Sequence, residues 1–169
     1  KIKKNLKKSA KCIAKIKSLQ KGRNCITFPF FSDYHVRGGY TGLLISKVMK
    51  ECNIPYCFFG GDSISSGYIE EEETMINQEL EFKTLMSYIP EGRFYRAIGN
   101  HDGYMIHETT ANVQWDRDKI YELFMRDTGL GQFAYFGDDG TYFYVNDIPS
   151  KTRFICLNPN GNYTSEQLN

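Results

Sequence analysis

Three polar clusters in this sequence carry residues able to hold a cation or move a proton: Asp33-Tyr34-His35, Gly60-Gly61-Asp62 and Gly99-Asn100-His101-Asp102. Each follows directly on an apolar, β-rich run, residues 25–31 (CITFPFF), 54–59 (IPYCFF) and 94–98 (FYRAI). A helical pattern separates each run from the next. In an open α/β sheet, ligands bind in the crevice outside the carboxyl ends of parallel strands, and all three clusters would converge there.

The residue types suit that place. An Asp and a His two residues apart at a strand end can reach one cation if the chain turns, offering oxygen and imidazole nitrogen together. Two glycines before Asp62 let its backbone and carboxylate approach a ligand closely. In the third cluster an amide oxygen, an imidazole for acid/base work and a carboxylate able to fix the imidazole tautomer stand in series. Any one cluster alone reads as an ordinary polar loop; the three in order do not.

The elements that must position them read as an alternation. Thr41 can cap a helix running to about Cys52, with Leu44, Val48 and Met49 on one face. A second helix spans residues 71–89, opening on acidic side chains that favour the positive end of its dipole and stopped by Pro90-Glu91-Gly92. Strand, helix, strand is a right-handed crossover. Beyond His101 a loop leads to a helix over residues 116–126, closed at Gly129, where Trp115 and Tyr121 are expected to pack. Two aromatic alternating runs, 133–136 and 141–145, then flank Gly137-Asp138-Asp139-Gly140, a hairpin signal, and a further strand covers 153–157.

Length and composition bound what surrounds such a site. The 169 residues, 41% of them apolar, suffice for one buried core. No apolar stretch approaches the roughly 20 residues that span a bilayer, and no secretory h-region is visible, so a cytoplasmic, soluble protein is expected. Five scattered cysteines (Cys12, Cys25, Cys52, Cys57 and Cys156) match no zinc module and read as free core thiols.

The net charge of +1 conceals an asymmetry. Ten of the 21 basic residues lie in residues 1–23, where the first acidic residue is still ten positions away at Asp33; the remainder carries 11 basic and 20 acidic residues, a balance of −9. Ile2, Leu6, Ile13 and Ile16 recur at helical spacing in the basic stretch. Residues 1–23 are therefore an amphipathic helix or arm, and residues 24–169 the chemical domain. The arm is expected to pack on the domain with a solvated lysine face; an anionic partner, nucleic acid or membrane surface, is the alternative.

Taken together, Asp33-x-His35, Gly61-Asp62 and Gly99-Asn100-His101-Asp102, each after a strand, resemble the first three signature blocks of the calcineurin-like metallophosphoesterases. Residues 151–158 (KTRFICLN) and 164–168 (TSEQL) resemble a strand and helix start common in that superfamily. The resemblance implies a four-layer α/β/β/α sandwich, here truncated after the first sheet and part of the second. It also implies two divalent cations (Mn, Fe, Zn or Mg) and a phosphate ester as substrate, a monoester or diester. By carry-over, Asp33 and His35 hold one metal, Asp62 bridges, Asn100 holds the second, His101 acts as general acid and Asp102 orients it. Tyr34, Tyr104 and His107 are candidates to line the substrate pocket.

Two departures accompany the match. Many members place a second Asp three residues after the bridging one, where this chain reads Ser63-Ile64-Ser65. The later histidine and the Gly-His-x-His block of the superfamily are absent from the 169 residues. The expectation is thus an N-terminal portion with a weakened or single-metal site. A non-catalytic interaction scaffold on the same fold is the competing reading, and a nucleic-acid-directed phosphodiesterase led by the basic arm is a third.

Overall fold

The computed structural model describes residues 2–35, 39–65, 72–90, 93–103, 115–130, 133–138, 140–147 and 149–158. Its first half alternates helix and strand: α1 (Ile2–Gln20), β1 (Phe30–Phe31), α2 (Thr41–Glu51), β2 (Cys57–Phe59), α3 (Glu72–Met86) and β3 (Phe94–Arg96). The three strands form one parallel sheet in the order β1-β2-β3, Phe31 opposite Phe59 and Phe59 opposite Arg96. All three therefore point their carboxyl ends the same way.

A short helix α4 (Arg117–Ile120) runs into a π turn (Tyr121–Met125) and a 3-10 turn (Arg126–Thr128). The single helix expected over 116–126 is thus broken into three pieces, ended by Gly129 in the left-handed conformation at φ 69°. A second, antiparallel sheet follows, β4 (Ala134–Phe136), β5 (Phe143–Asp147) and β6 (Thr152–Cys156). Its hairpin closes where expected: the Gly137 N–H donates to Tyr142 O, and the Gly140 N–H donates to Gly137 O.

Alternation along the strands decides which layer meets which. Cys57 and Phe59 point to a core shared with Met49, Phe82 and Met86 of the helices. Tyr56, Phe58 and Tyr95 point the other way, where the Phe154 ring of β6 packs 4.8 Å from that of Phe58 and edge-on to that of Tyr56 at 5.2 Å. The parallel sheet thus carries helices on one face and the antiparallel sheet on the other. The chain is mixed α/β, with two small sheets.

The parallel strands are shorter than the apolar runs suggest, and proline explains it. The ladder of β1 starts after Pro29 and that of β2 after Pro55, since a proline has no N–H to donate. The residues just before Pro29 join no ladder; Phe28 still packs edge-on to Phe58 at 4.8 Å. Thr41 does not cap α2. Tyr40 occupies the cap position without a side-chain bond, and Thr41 is the first helical residue.

Helix α1 docks on α2. Ile13 is buried in the helix-side core, the Gln20 side chain donates to Cys52 O at 3.2 Å, and Lys17 pairs with Glu51 at 3.3 Å. Lys7, Lys8, Lys11, Lys15 and Lys21 stay exposed. Gly42 of α2 lies so close to Leu85 of α3 that a Cβ would sit 1.9 Å from its carbonyl oxygen, which requires glycine there. All five thiols are free, but only Cys52 and Cys57 are buried; Cys12 and Cys25 are exposed rather than core. Among the described residues no helix is long and apolar enough to cross a membrane.

Candidate metal centre

The loops after β1, β2 and β3 meet. The Asp33 N–H donates to Gly61 O at 3.0 Å, the His35 N–H to Asp62 O at 3.2 Å, and the His101 N–H to Asp62 Oδ1 at 2.8 Å. Side-chain ligand atoms of His35, Asp62 and His101 consequently lie within 4.8 Å of one another. Ligands at about 2.0–2.2 Å from a common ion stand roughly 3–4 Å apart, so small side-chain rotations close this set on a cation.

Backbone conformation at these positions is unusual. Asp33, His35 and Asp62 have φ of 53°, 44° and 62°, the left-handed region that non-glycine residues seldom occupy. Each carries of order 1 kcal/mol of strain that the surrounding bonds must hold. Gly61 and Gly99 make that approach sterically feasible. A Cβ on Gly99 would lie 2.1 Å from Asp62 Oδ1, and one on Gly61 2.4 Å from the Gly99 nitrogen.

Each ligand is aimed by a neighbour. His35 Nδ1 lies 3.0 Å from Ile64 O. A carbonyl only accepts, so Nδ1 carries the proton and Nε2 keeps its lone pair for a metal. The His35 and His101 rings meet edge to face at 4.7 Å. Burial pushes the Asp62 carboxyl above its ordinary range; the Asp102 and Asp33 charges add to this, while the N–H and ring of His101 oppose it.

Asp102 has a different task from orienting the His101 ring. It is fully buried, and its oxygens accept from the backbone N–H of Asp62, Gly99 and Ser63 at 2.9 Å, from Ile64 N at 3.4 Å and from Ser63 Oγ at 2.8 Å. Five donors exhaust the roughly four lone-pair directions of a carboxylate. Asp102 is a positioning residue that laces the loop after β3 to the loop after β2.

Behind it lies a buried network. Ser63 Oγ stands 2.8 Å from both Glu79 and Asp102 and, having one hydrogen, donates to one of them at a time. Arg96 grips Glu79 through both terminal nitrogens, at 2.5 and 2.9 Å, and reaches Ser63 Oγ at 2.5 Å. Burial pushes the Glu79 carboxyl up while Arg96 pulls it down. Burial works against the Arg96 charge, but Glu79 outweighs it and the guanidinium pKa rises. The two-point grip on an always-charged guanidinium favours an ionised pair. Glu79 thus supplies, from α3, a buried carboxylate beside Ser63.

The remaining candidates fall elsewhere. Asp33 stands outside the three-residue group; its Oδ2 accepts from the Ser32 hydroxyl at 2.5 Å and the residue is exposed. Asn100 is exposed in the turn after β3. His101, expected as a proton donor, lies in the group that could hold a cation. One such group is found among the described residues, enough for one cation. Tyr34 is a core residue, 7% exposed and edge-on to Phe82 at 5.2 Å, and does not line a substrate pocket. Tyr104 and His107 lie outside the described residues. Trp115 packs on Phe124 and against Gly103, as expected.

Sequence reasoning overlooked Glu79 and Arg96, although both carried a signal. Glu79 lies in the stripe Met75, Glu79, Phe82, Met86 that α3 buries, and Arg96 interrupts the apolar run of β3. A charge in a core stripe needs a buried partner. A scan against protein-family models and searches of curated proteins and of solved structures find no match to this chain.

Proposed function

We propose that this chain is a metal-dependent phosphoesterase whose His35, Asp62 and His101 hold one divalent cation. The observation that carries the reading is the meeting of these three residues at the carboxyl ends of adjacent parallel strands, with ligand atoms within 4.8 Å. A cation there supplies a water acidic enough to act near neutral pH and a positive centre for phosphoryl oxygens. The chain's own part is orientation. Ile64 O fixes the His35 tautomer, the His101 N–H occupies Asp62 Oδ1 and leaves Oδ2 for the metal, and Asp102 holds the loops in register. Asp33 and Asn100, exposed on the same loops, are the groups available to substrate or to a second cation.

Titration of the metal-free protein with Mn2+ and Zn2+ by calorimetry is expected to give one strong site per chain. His35→Ala, Asp62→Asn and His101→Ala should each weaken it by about 10- to 100-fold or more. Bis-p-nitrophenyl phosphate should be hydrolysed only with metal present. Unchanged binding in all three variants overturns the site; tight metal binding without any ester hydrolysis overturns the activity.

A further inference from the structure

His35 takes its aim from a peptide group that is itself held. The Ile64 carbonyl that accepts the Nδ1–H and the Ser65 N–H are the two ends of one planar amide. The Ser65 N–H donates to Gln78 Oε1 of α3 at 2.8 Å, so a line of hydrogen bonds runs from α3 through that amide to the His35 ring. One residue along the helix, Glu79 Oε2 stands 2.8 Å from the Ser63 hydroxyl, and Arg96 of β3 donates to Ser63 Oγ and Glu79 together. Ile64, between the two held serines, is fully buried in the core that also contains Met75 and Phe124.

An amide bonded at both ends and anchored on its N-terminal side has little freedom to turn, so α3 sets the direction of the Ile64 carbonyl. That direction decides the chemistry of the ring. A neutral imidazole carries its proton on the nitrogen that has an acceptor, and only the bare nitrogen can bind a cation. The bond at Ser65 N–H also polarises the amide and makes its carbonyl a better acceptor. Stability alone is a weak reason for the Glu79–Arg96 pair behind Ser63, since apolar side chains of the same volume often serve a core as well.

We propose that Gln78, together with the Glu79–Arg96 pair, positions the His35 imidazole: through Ser65 N–H and the Ser63 hydroxyl they hold the Ile64 carbonyl where it keeps the proton on Nδ1 and leaves Nε2 open to a cation. None of the three touches the cation; each acts through residues 63–65. The inference rests on the reading of His35 as a ligand, but the tautomer it concerns is a property of the metal-free chain.

Nitrogen-15 NMR of the histidine rings reads it, in the whole chain stripped of metal at about pH 8, above the ordinary histidine range. Wild type is expected to show His35 with Nδ1 protonated and Nε2 bare. Gln78→Met removes the acceptor from Ser65 N–H at a half-buried position, and Ser63→Ala disconnects the loop from Glu79 and Arg96 without stranding either charge. Each should move His35 to a mixture of tautomers while the His101 tautomer stays. Gln78→Glu, which keeps an acceptor, should restore the wild-type ring. Mn2+ affinity by calorimetry should fall roughly 3- to 10-fold in Gln78→Met and recover in Gln78→Glu. A wild-type His35 protonated on Nε2, a His35 tautomer unmoved in either variant, or an equal change at His101 overturns the proposal. A tautomer that shifts as expected in a chain that binds no Mn2+ upholds the positioning and counts against the metal site alone.

Discussion

Replacing Asp102 by Asn tests whether that carboxylate holds the loops or serves the His101 ring. The side chain keeps its shape, but one oxygen becomes an NH2 donor. Placed on the Oδ2 side it confronts the N–H groups of Asp62 and Gly99; placed on the Oδ1 side it confronts those of Ser63 and Ile64. Either way two buried backbone donors lose a charged acceptor, at about 1.5–3 kcal/mol each. Relief of repulsion offsets part of this, because the Asp102 charge raises the carboxyls of Asp62 and Glu79. The net expectation is a loss of about 2–4 kcal/mol, which for a chain of 169 residues lowers Tm by roughly 5–15 °C. Urea unfolding followed by circular dichroism measures it. The same loss should appear in a His101→Ala background, because the two positions act through different bonds. A loss below about 1 kcal/mol, or one that vanishes once His101 is removed, refutes the reasoning.

Gly99→Ala should abolish metal binding in calorimetry and cost at least about 2 kcal/mol, since its Cβ would fall 2.3 Å from the Asp62 nitrogen; wild-type affinity in this variant would mean the loops do not touch. In the folded protein a thiol reagent near pH 8 should modify the exposed Cys12 and Cys25 quickly; burial holds Cys57 at about 12 and raises Cys52, and Cys156, half-buried at the surface, is also desolvated enough to be pushed to about 12, so a fast count of four or five speaks against the packing. The Asp62 carboxyl is raised in the fold, so it supports the metal-free state below the ordinary carboxylate range, and that support is lost as pH rises through the raised value. Metal binding requires the ionised form and should therefore strengthen over the same interval with a proton released, read by calorimetry in buffers of differing ionisation enthalpy; affinity that is flat from about pH 4 to about pH 7 would contradict this.

Much of the frame was legible because it rests on local rules. The parallel half, its two helical crossovers and the glycine hairpin all follow from apolar periodicity and turn chemistry. What was not legible depends on tertiary placement. Asp33, His35 and Asp62 look alike as polar loop residues, and only left-handed turns enforced by Gly61 O and Asp62 O turn His35 inward. The Asp102 carboxylate sits beside His101 in sequence yet spends itself on amides some 40 positions upstream, which no spacing rule reports. Tyr34, between two candidate ligands, turns into the core against Phe82, flanked on both sides by residues in the left-handed region, which spacing alone does not report.

The convergence of two loops on one carboxylate has a consequence for motion. The amide hydrogens of Asp62, Ser63 and Gly99 all end on Asp102, so their exchange with solvent deuterium requires that residue to let go. Active-site loops usually belong to the first segments to open. Here the two loops that bring Asp62 and His101 open together, and with them the register of β2 against β3. Asp62 and His101 are then held as one slow-exchanging unit, their relative placement fixed before any ligand arrives.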